Sequence, residues 1–258
     1  MTQATNAVTA ICGYDAETIT VRGHDLVTGL MGKLSFSQMM LLHYTGSLPG
    51  AAQTAILDAV MVTIMEHGMV PSAAVTRLTH YGAPESYQGA IAAGLLGVGD
   101  RFAGTASACA ELLDQLAALP EAERADAACE LVRSLRTLKK PVPGFGHPIH
   151  TGGDPRVARL MDIVSAAGAA GAHLHALGAL EQAVESVVRK PLVTNVSAAI
   201  AVALGEAGVP AGVMRGVVLT ARCAGLSGHL LEEQERPLAP LLTSVIEQAV
   251  RYGEAGAE

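Results

Sequence analysis

The chain has no tryptophan, three phenylalanines, five tyrosines and only four cysteines in 258 residues. So few rings argue against a β-sandwich, whose core leans on aromatic and β-branched side chains. Alanine and leucine instead favour closely packed helices. Cys12, Cys109, Cys129 and Cys223 are scattered without pairwise metal spacing, so they read as core thiols of a reducing compartment and no metal site is expected. Basic residues are also in deficit. Seventeen Lys and Arg against 24 Asp and Glu leave a net charge of −7, which argues against a nucleic-acid partner. An anionic ligand must then be held by a local cluster of cations. Half the residues are apolar, yet no apolar run reaches about 18 residues free of Gly, Pro or charge, so no membrane partner is expected. The polar N-terminus lacks a basic-then-apolar leader, and a cytoplasmic location is the expectation.

What is present is mostly helix punctuation. Val8–Ile11 and Thr18–Val21, around Cys12–Asp15, predict a small hairpin. Beyond Leu34 the pattern is helical. A helix capped by Ser35 or Ser37 is followed by Ala51 to Met65, apolar on nearly every side and therefore expected to be buried in the core or a subunit interface. Further helices are expected at about 71–81, 85–96, 105–118, 121–138, 157–170, 174–188, 196–207, 214–233 and 238–252. One segment breaks the pattern. Residues 139–159, KKPVPGFGHPIHTGGDPRVAR, hold prolines and glycines that forbid a helix. They form a loop presenting His147, His150, Asp154 and Arg156. From its residues alone this loop either presents a ligand site or is a solvated surface segment.

Several of these stretches resemble one family. Gly144-Phe-Gly-His147 with Asp154-Pro155-Arg156 resembles the loop-histidine motif of the citrate synthase superfamily. Glu66-His67-Gly68, with Ser72 and Arg77 beyond, is similar to its first substrate-binding histidine and the helix that follows. Ala221-Arg222 to Gly225, Gly228-His229 and Glu235-Arg236-Pro237 are similar to its late arginine helix and C-terminal arginine-proline pair. Within the superfamily, Gly94-Leu-Leu-Gly-Val-Gly-Asp-Arg-Phe-Ala-Gly104 resembles the corresponding run of citryl-CoA lyases and of the C-terminal module of ATP citrate lyase.

The resemblance implies an all-α, two-lobed fold, with a large lobe from residues 1–104 and 198–258 and a small lobe from 105–197. It implies that His67 and His147 bind the keto or hydroxyl oxygen of the substrate and take part in catalysis. Arg156 and Arg222 would clamp its carboxylates, Asn195 would contact it, and Arg236 would reach the neighbouring subunit's pocket. Arg101, Phe102, Lys140, Gly144 and Gly146 are the candidates for coenzyme A contacts. Coenzyme A enters as a thioester substrate or product, with no tightly bound cofactor, and a homodimer or larger assembly is implied. Two departures bear on chemistry. Phe102 stands where true synthases carry a histidine, and Asn195-Val196-Ser197 stands where the family's catalytic aspartate follows Asn-Val. A serine hydroxyl cannot serve as a carboxylate base near neutral pH. The expected activity is cleavage of citryl-CoA, or a close 3-hydroxy-3-carboxyacyl-CoA, to acetyl-CoA and oxaloacetate or another 2-oxo acid. A synthase-type acyltransferase and a non-catalytic binder of CoA esters or polycarboxylates are the alternatives.

Overall fold

The computed structural model describes residues 7–100, 104–146, 152–169, 171–190 and 192–253. A three-stranded antiparallel ribbon opens it: β1 (Cys12–Tyr14), β2 (Ile19–Val21) and β3 (His24–Asp25), in the order β1-β2-β3. The first strand lies later than Val8–Ile11 because Asp15 builds the turn. Its Oδ1 accepts from the N–H groups of Glu17 (2.9 Å) and Thr18 (2.7 Å), so the chain reverses after Tyr14 rather than before it. Cys12 is exposed on this ribbon, so the expectation of four core thiols fails there, whereas Cys109 is fully buried. Its burial pushes the thiol up to about 12.

A short π-helix (Leu26–Leu30) and eleven α-helices follow among the described residues: α1 (Phe36–Thr45), α2 (Ala51–Met65), α3 (Pro71–Gly82), α4 (Tyr87–Leu96), α5 (Thr105–Ala117), α6 (Glu121–Thr137), α7 (Pro155–Ala166), α8 (Ala172–Val188), α9 (Val196–Glu206), α10 (Ala211–Glu235) and α11 (Ala239–Ala249). Their ends follow local chemistry. Ser35 and Gln38 form a capping box on α1, Pro71 and Pro155 occupy the first turns of α3 and α7, and Asp154 and Asn195 cap α7 and α9 with their side chains. The α8 N-terminus has no such residue, and Glu206 from the end of α9 substitutes. Its Oε1 accepts from the Gly171 (3.0 Å) and Leu174 (2.9 Å) amides.

The hub is α9. Val196 and Ala198 through Leu204 are all buried, and the run of alanines lets α2, α5, α7 and α8 approach closely. Gln53 on α2 reaches over to the Ala207 carbonyl (2.9 Å) and fixes α2 against the end of α9. The main apolar core runs through α2, α5 to α10 and α9. Helix α2 buries only one face, through Ile56, Leu57, Val60, Met61 and Ile64. Val62 is 73% exposed on this chain, so the all-round apolar composition is not matched by all-round burial. Among the described residues no single helix is long and apolar enough to cross a membrane.

Candidate active site

The ends of three helices converge on one cleft of about 530 Å³. The residues leaving α2 supply His67, the first turn of α9 supplies Asn195 and Ser197, and the middle of α10 supplies Arg222. Arg156 enters from the start of α7, and Gly146 from the loop before it. Apolar side chains, including Ile64, Val98 and Val218, line the rest. No Asp or Glu is among the described residues of the lining.

Arg222 is the most telling group. It is only 3% exposed, and its Nη1 donates to the Met65 carbonyl at 2.6 Å, yet its Nη2 is buried with no hydrogen-bond partner. Gly225 makes this contact possible. A Cβ there would lie 2.0 Å from the Met65 carbonyl oxygen, so only glycine lets α10 come so close to the end of α2. Burial pulls the guanidinium below its ordinary pKa, and the Glu66 carboxylate, 3.8 Å from Nη1, counteracts this. A buried, partly unsatisfied guanidinium on the wall of a cleft has the chemistry to receive a carboxylate or phosphate.

Arg156 is held differently. Asp154, whose side chain is fully buried, takes its Nε (3.0 Å) and Nη2 (2.7 Å) in a bidentate pair. The pair locks the guanidinium plane at the cleft edge, 27% exposed, with the Nη1 end not committed to Asp154. The described residues up to Gly146 are held as well. Gly144 (φ +86°) and Gly146 (φ +82°) adopt left-handed backbone, and a Cβ at Gly144 would stand 2.8 Å from both Ala198 Cβ and Cys109 Sγ. Gly144 is thus a packing residue, its carbonyl accepting from the Asn195 amide at 2.9 Å.

Of the sequence-derived candidates, His67, Arg156, Asn195, Ser197, Arg222 and Gly146 share the cleft. Arg101, Phe102 and His147 lie outside the described residues, as does His150. Lys140 and Arg236, the latter at the end of α10, are exposed and absent from the lining. A second cleft of about 500 Å³ meets the first at Thr105. It carries Arg215, whose Nη1 pairs with Asp100 at 2.7 Å, and the segment Pro141–Phe145. Arg215 was not singled out by the sequence, since a lone arginine on a helix carries no motif.

Glu66, His229 and Arg77 lie in the family-like motifs, but no local pattern assigns them a role. The structure joins them. Glu66 Oε1 accepts from the amides of His67 (2.9 Å) and Gly68 (2.7 Å) and meets His229 Nε2 at 3.1 Å. Burial pushes the Glu66 carboxyl up, but the His67 amide, His229 and the Gly68 amide together hold it below its usual range.

The comparisons agree with this geometry. The family model for the citrate synthase C-terminal domain matches residues 3–241. The citryl-CoA lyase of Hydrogenobacter thermophilus is 28% identical, with a TM-score of 0.83 over 98% of this chain and 97% of that one. The ATP citrate lyase of Methanothrix soehngenii, solved with citrate and coenzyme A, is 20% identical with a TM-score of 0.77, covering 99% of this chain and 43% of that one. ATP-citrate synthase subunit 1 of Sordaria macrospora is 26% identical over 212 residues, 76% of this chain. The chain spans 30% of that relative's length. These solved relatives are lyases, and this chain shares their fold. The chain belongs to the citrate synthase family.

Proposed function

We propose that the chain cleaves citryl-CoA, or a close 3-hydroxy-3-carboxyacyl-CoA, to acetyl-CoA and a 2-oxo acid such as oxaloacetate. The observation that carries the proposal is the cleft itself. It gathers two arginines and a histidine, one guanidinium nitrogen lacks a partner, and the described lining holds no carboxylate. Cations without a lining acid suit a polycarboxylate.

The missing acid is compatible with cleavage, whose enolate can take its proton from solvent. Cleavage needs a base only for the 3-hydroxyl proton. The C–O bond becomes a carbonyl, the C2–C3 electrons pass to the thioester enolate, and that enolate takes a proton at carbon from solvent, which regains the hydroxyl proton from the base. In this reading His67 holds the hydroxyl oxygen and takes its proton, while Arg222 and Arg156 bind carboxylates. Condensation would require removal of a much less acidic C–H proton, a harder task where Ser197 replaces an acid. The thioester arm occupies the second cleft, where Arg215 adds a cation. The segment 105–197 acts as a smaller lobe that closes on the ligand, and the protein works as a homodimer. Closure would exclude water from the enolate.

The absent carboxylate equally favours a second reading, a homologue that binds CoA esters and polycarboxylates without turning them over. One pair of measurements separates the two. Citrate and CoA should raise the melting temperature in either case. Only the lyase reading predicts acetyl-CoA release from citryl-CoA.

A further inference from the structure

A chain of polar contacts runs from a fully buried arginine to the rim of the cleft. Arg77 on α3 is 0% exposed and spans the gap to α10. Its Nη1 donates to Glu233 at 2.8 Å, Nη2 pairs with Glu232, and both Nε (3.2 Å) and Nη2 (2.9 Å) point at His229 Nδ1. A guanidinium has donors only, so His229 Nδ1 must accept, and the ring proton must sit on Nε2. Nε2 faces Glu66 Oε1 at 3.1 Å, where that proton completes a hydrogen bond to the carboxylate. Glu66 then anchors the backbone of His67 and Gly68 and stands 3.8 Å from Arg222.

We infer that His229, held by Arg77 in the tautomer that donates through Nε2, is a positioning residue that locks the Glu66 carboxylate beneath His67 and beside Arg222. His229 itself is not part of the cleft lining and acts through Glu66. Two features support a role beyond packing. Glu66 is half exposed, so without a third donor its carboxylate would rotate toward solvent or toward Arg222. A Glu66 turned onto Arg222 would neutralise the cation that the ligand needs. The histidine instead holds the carboxylate 3.8 Å from Arg222 Nη1, a charge contact longer than a hydrogen bond. Glu233 extends the chain further, accepting from the Leu238 (3.0 Å) and Ala239 (2.8 Å) amides at the start of α11.

This inference rests on the reading of the cleft as a polycarboxylate site, and its test is arranged to separate the two. His229→Leu removes the donor while filling the space, and His229→Gln restores an N–H toward Glu66. Calorimetric titration with citrate should show affinity reduced about tenfold in the leucine variant and within about threefold of wild type in the glutamine variant. Equal losses in both, or none in either, would overturn the assignment. Should the leucine variant fail to fold, ring ¹⁵N shifts of His229 in the wild-type protein decide instead. A proton on Nε2 supports the relay and a proton on Nδ1 overturns it. If the wild type binds no citrate, the proposed function fails, and the ring shifts still judge the relay.

Discussion

Asn195 donates its side-chain amide to the Gly146 carbonyl at 2.8 Å while its own Oδ1 caps the Ser197 amide at 2.9 Å. One side chain thus ties the glycine loop to the N-terminus of α9. With the Gly146 amide bonded to the Val193 carbonyl (2.7 Å), it fixes the distance between the loop and Ser197. Gly144–Gly146 and the start of α9 are therefore tied together, and changes at either are felt at the other.

Arg222 should dominate ligand affinity. Arg222→Lys is expected to weaken citrate binding by about 2–5 kcal/mol, because a lysine cannot both serve the Met65 carbonyl and reach a carboxylate. Lys140→Ala, an exposed cation outside the lining, should cost about 1 kcal/mol or less. Calorimetric titration of both variants checks the ranking, and equal losses would contradict it.

Gly225→Ala tests the packing that presents Arg222. The added Cβ meets backbone at 2.0 Å, so α10 must move away from the end of α2. The expected cost is about 1–3 kcal/mol of stability together with a loss of citrate affinity. Urea unfolding with titration on the same sample measures both. A variant as stable as wild type would show the contact to be looser than described.

Glu233 gives a pH prediction. Burial pushes its carboxyl up, but the Ala239 amide, Arg77 and the Leu238 amide hold it below the ordinary 4.5. A folded-state pKa depressed in this way contributes stability that is complete above 4.5 and lost as pH falls through the lowered value. Glu233→Gln should therefore be less stable by about 2 kcal/mol near neutrality and show a shallower decline in acid. Unfolding curves from neutral pH down to about pH 3 check the slope.

Ser197 stands in the first turn of α9, where the helix dipole favours a carboxylate by about 0.3–1 kcal/mol. Ser197→Asp should fold, yet turn over citryl-CoA more slowly, because the new charge would compete with the substrate for Arg222 and repel it. A gain of about 10²-fold or more would show that the cleft still runs on the family's acid.

Much of this was legible in the sequence for physical reasons. Prolines, glycines and capping residues punctuate the helices, so α2, α6 and α9 fall within a residue or two of their expected ends. The cleft residues His67, Arg156 and Arg222 sit in local motifs, and those motifs meet. What was not legible depends on distance along the chain. Arg77 and Glu233 are separated by 156 positions, and no local pattern announces their pairing. Arg156 looked like a complete fork, but Asp154, two residues earlier, takes one edge of it. For α2 the expectation is burial in the core or a subunit interface; on this chain alone its outer face, with Val62, is exposed, because composition records apolar surface and not what covers it.

The most direct test is to mix the purified protein with citryl-CoA and follow acetyl-CoA and oxaloacetate together, in wild type and in Arg222→Ala. Equimolar release by the wild-type protein is expected, with a rate reduced by about 10²–10³-fold in the variant, since a buried cation facing the reacting anion is removed. No release above the blank, or release that Arg222→Ala leaves unchanged, would contradict it.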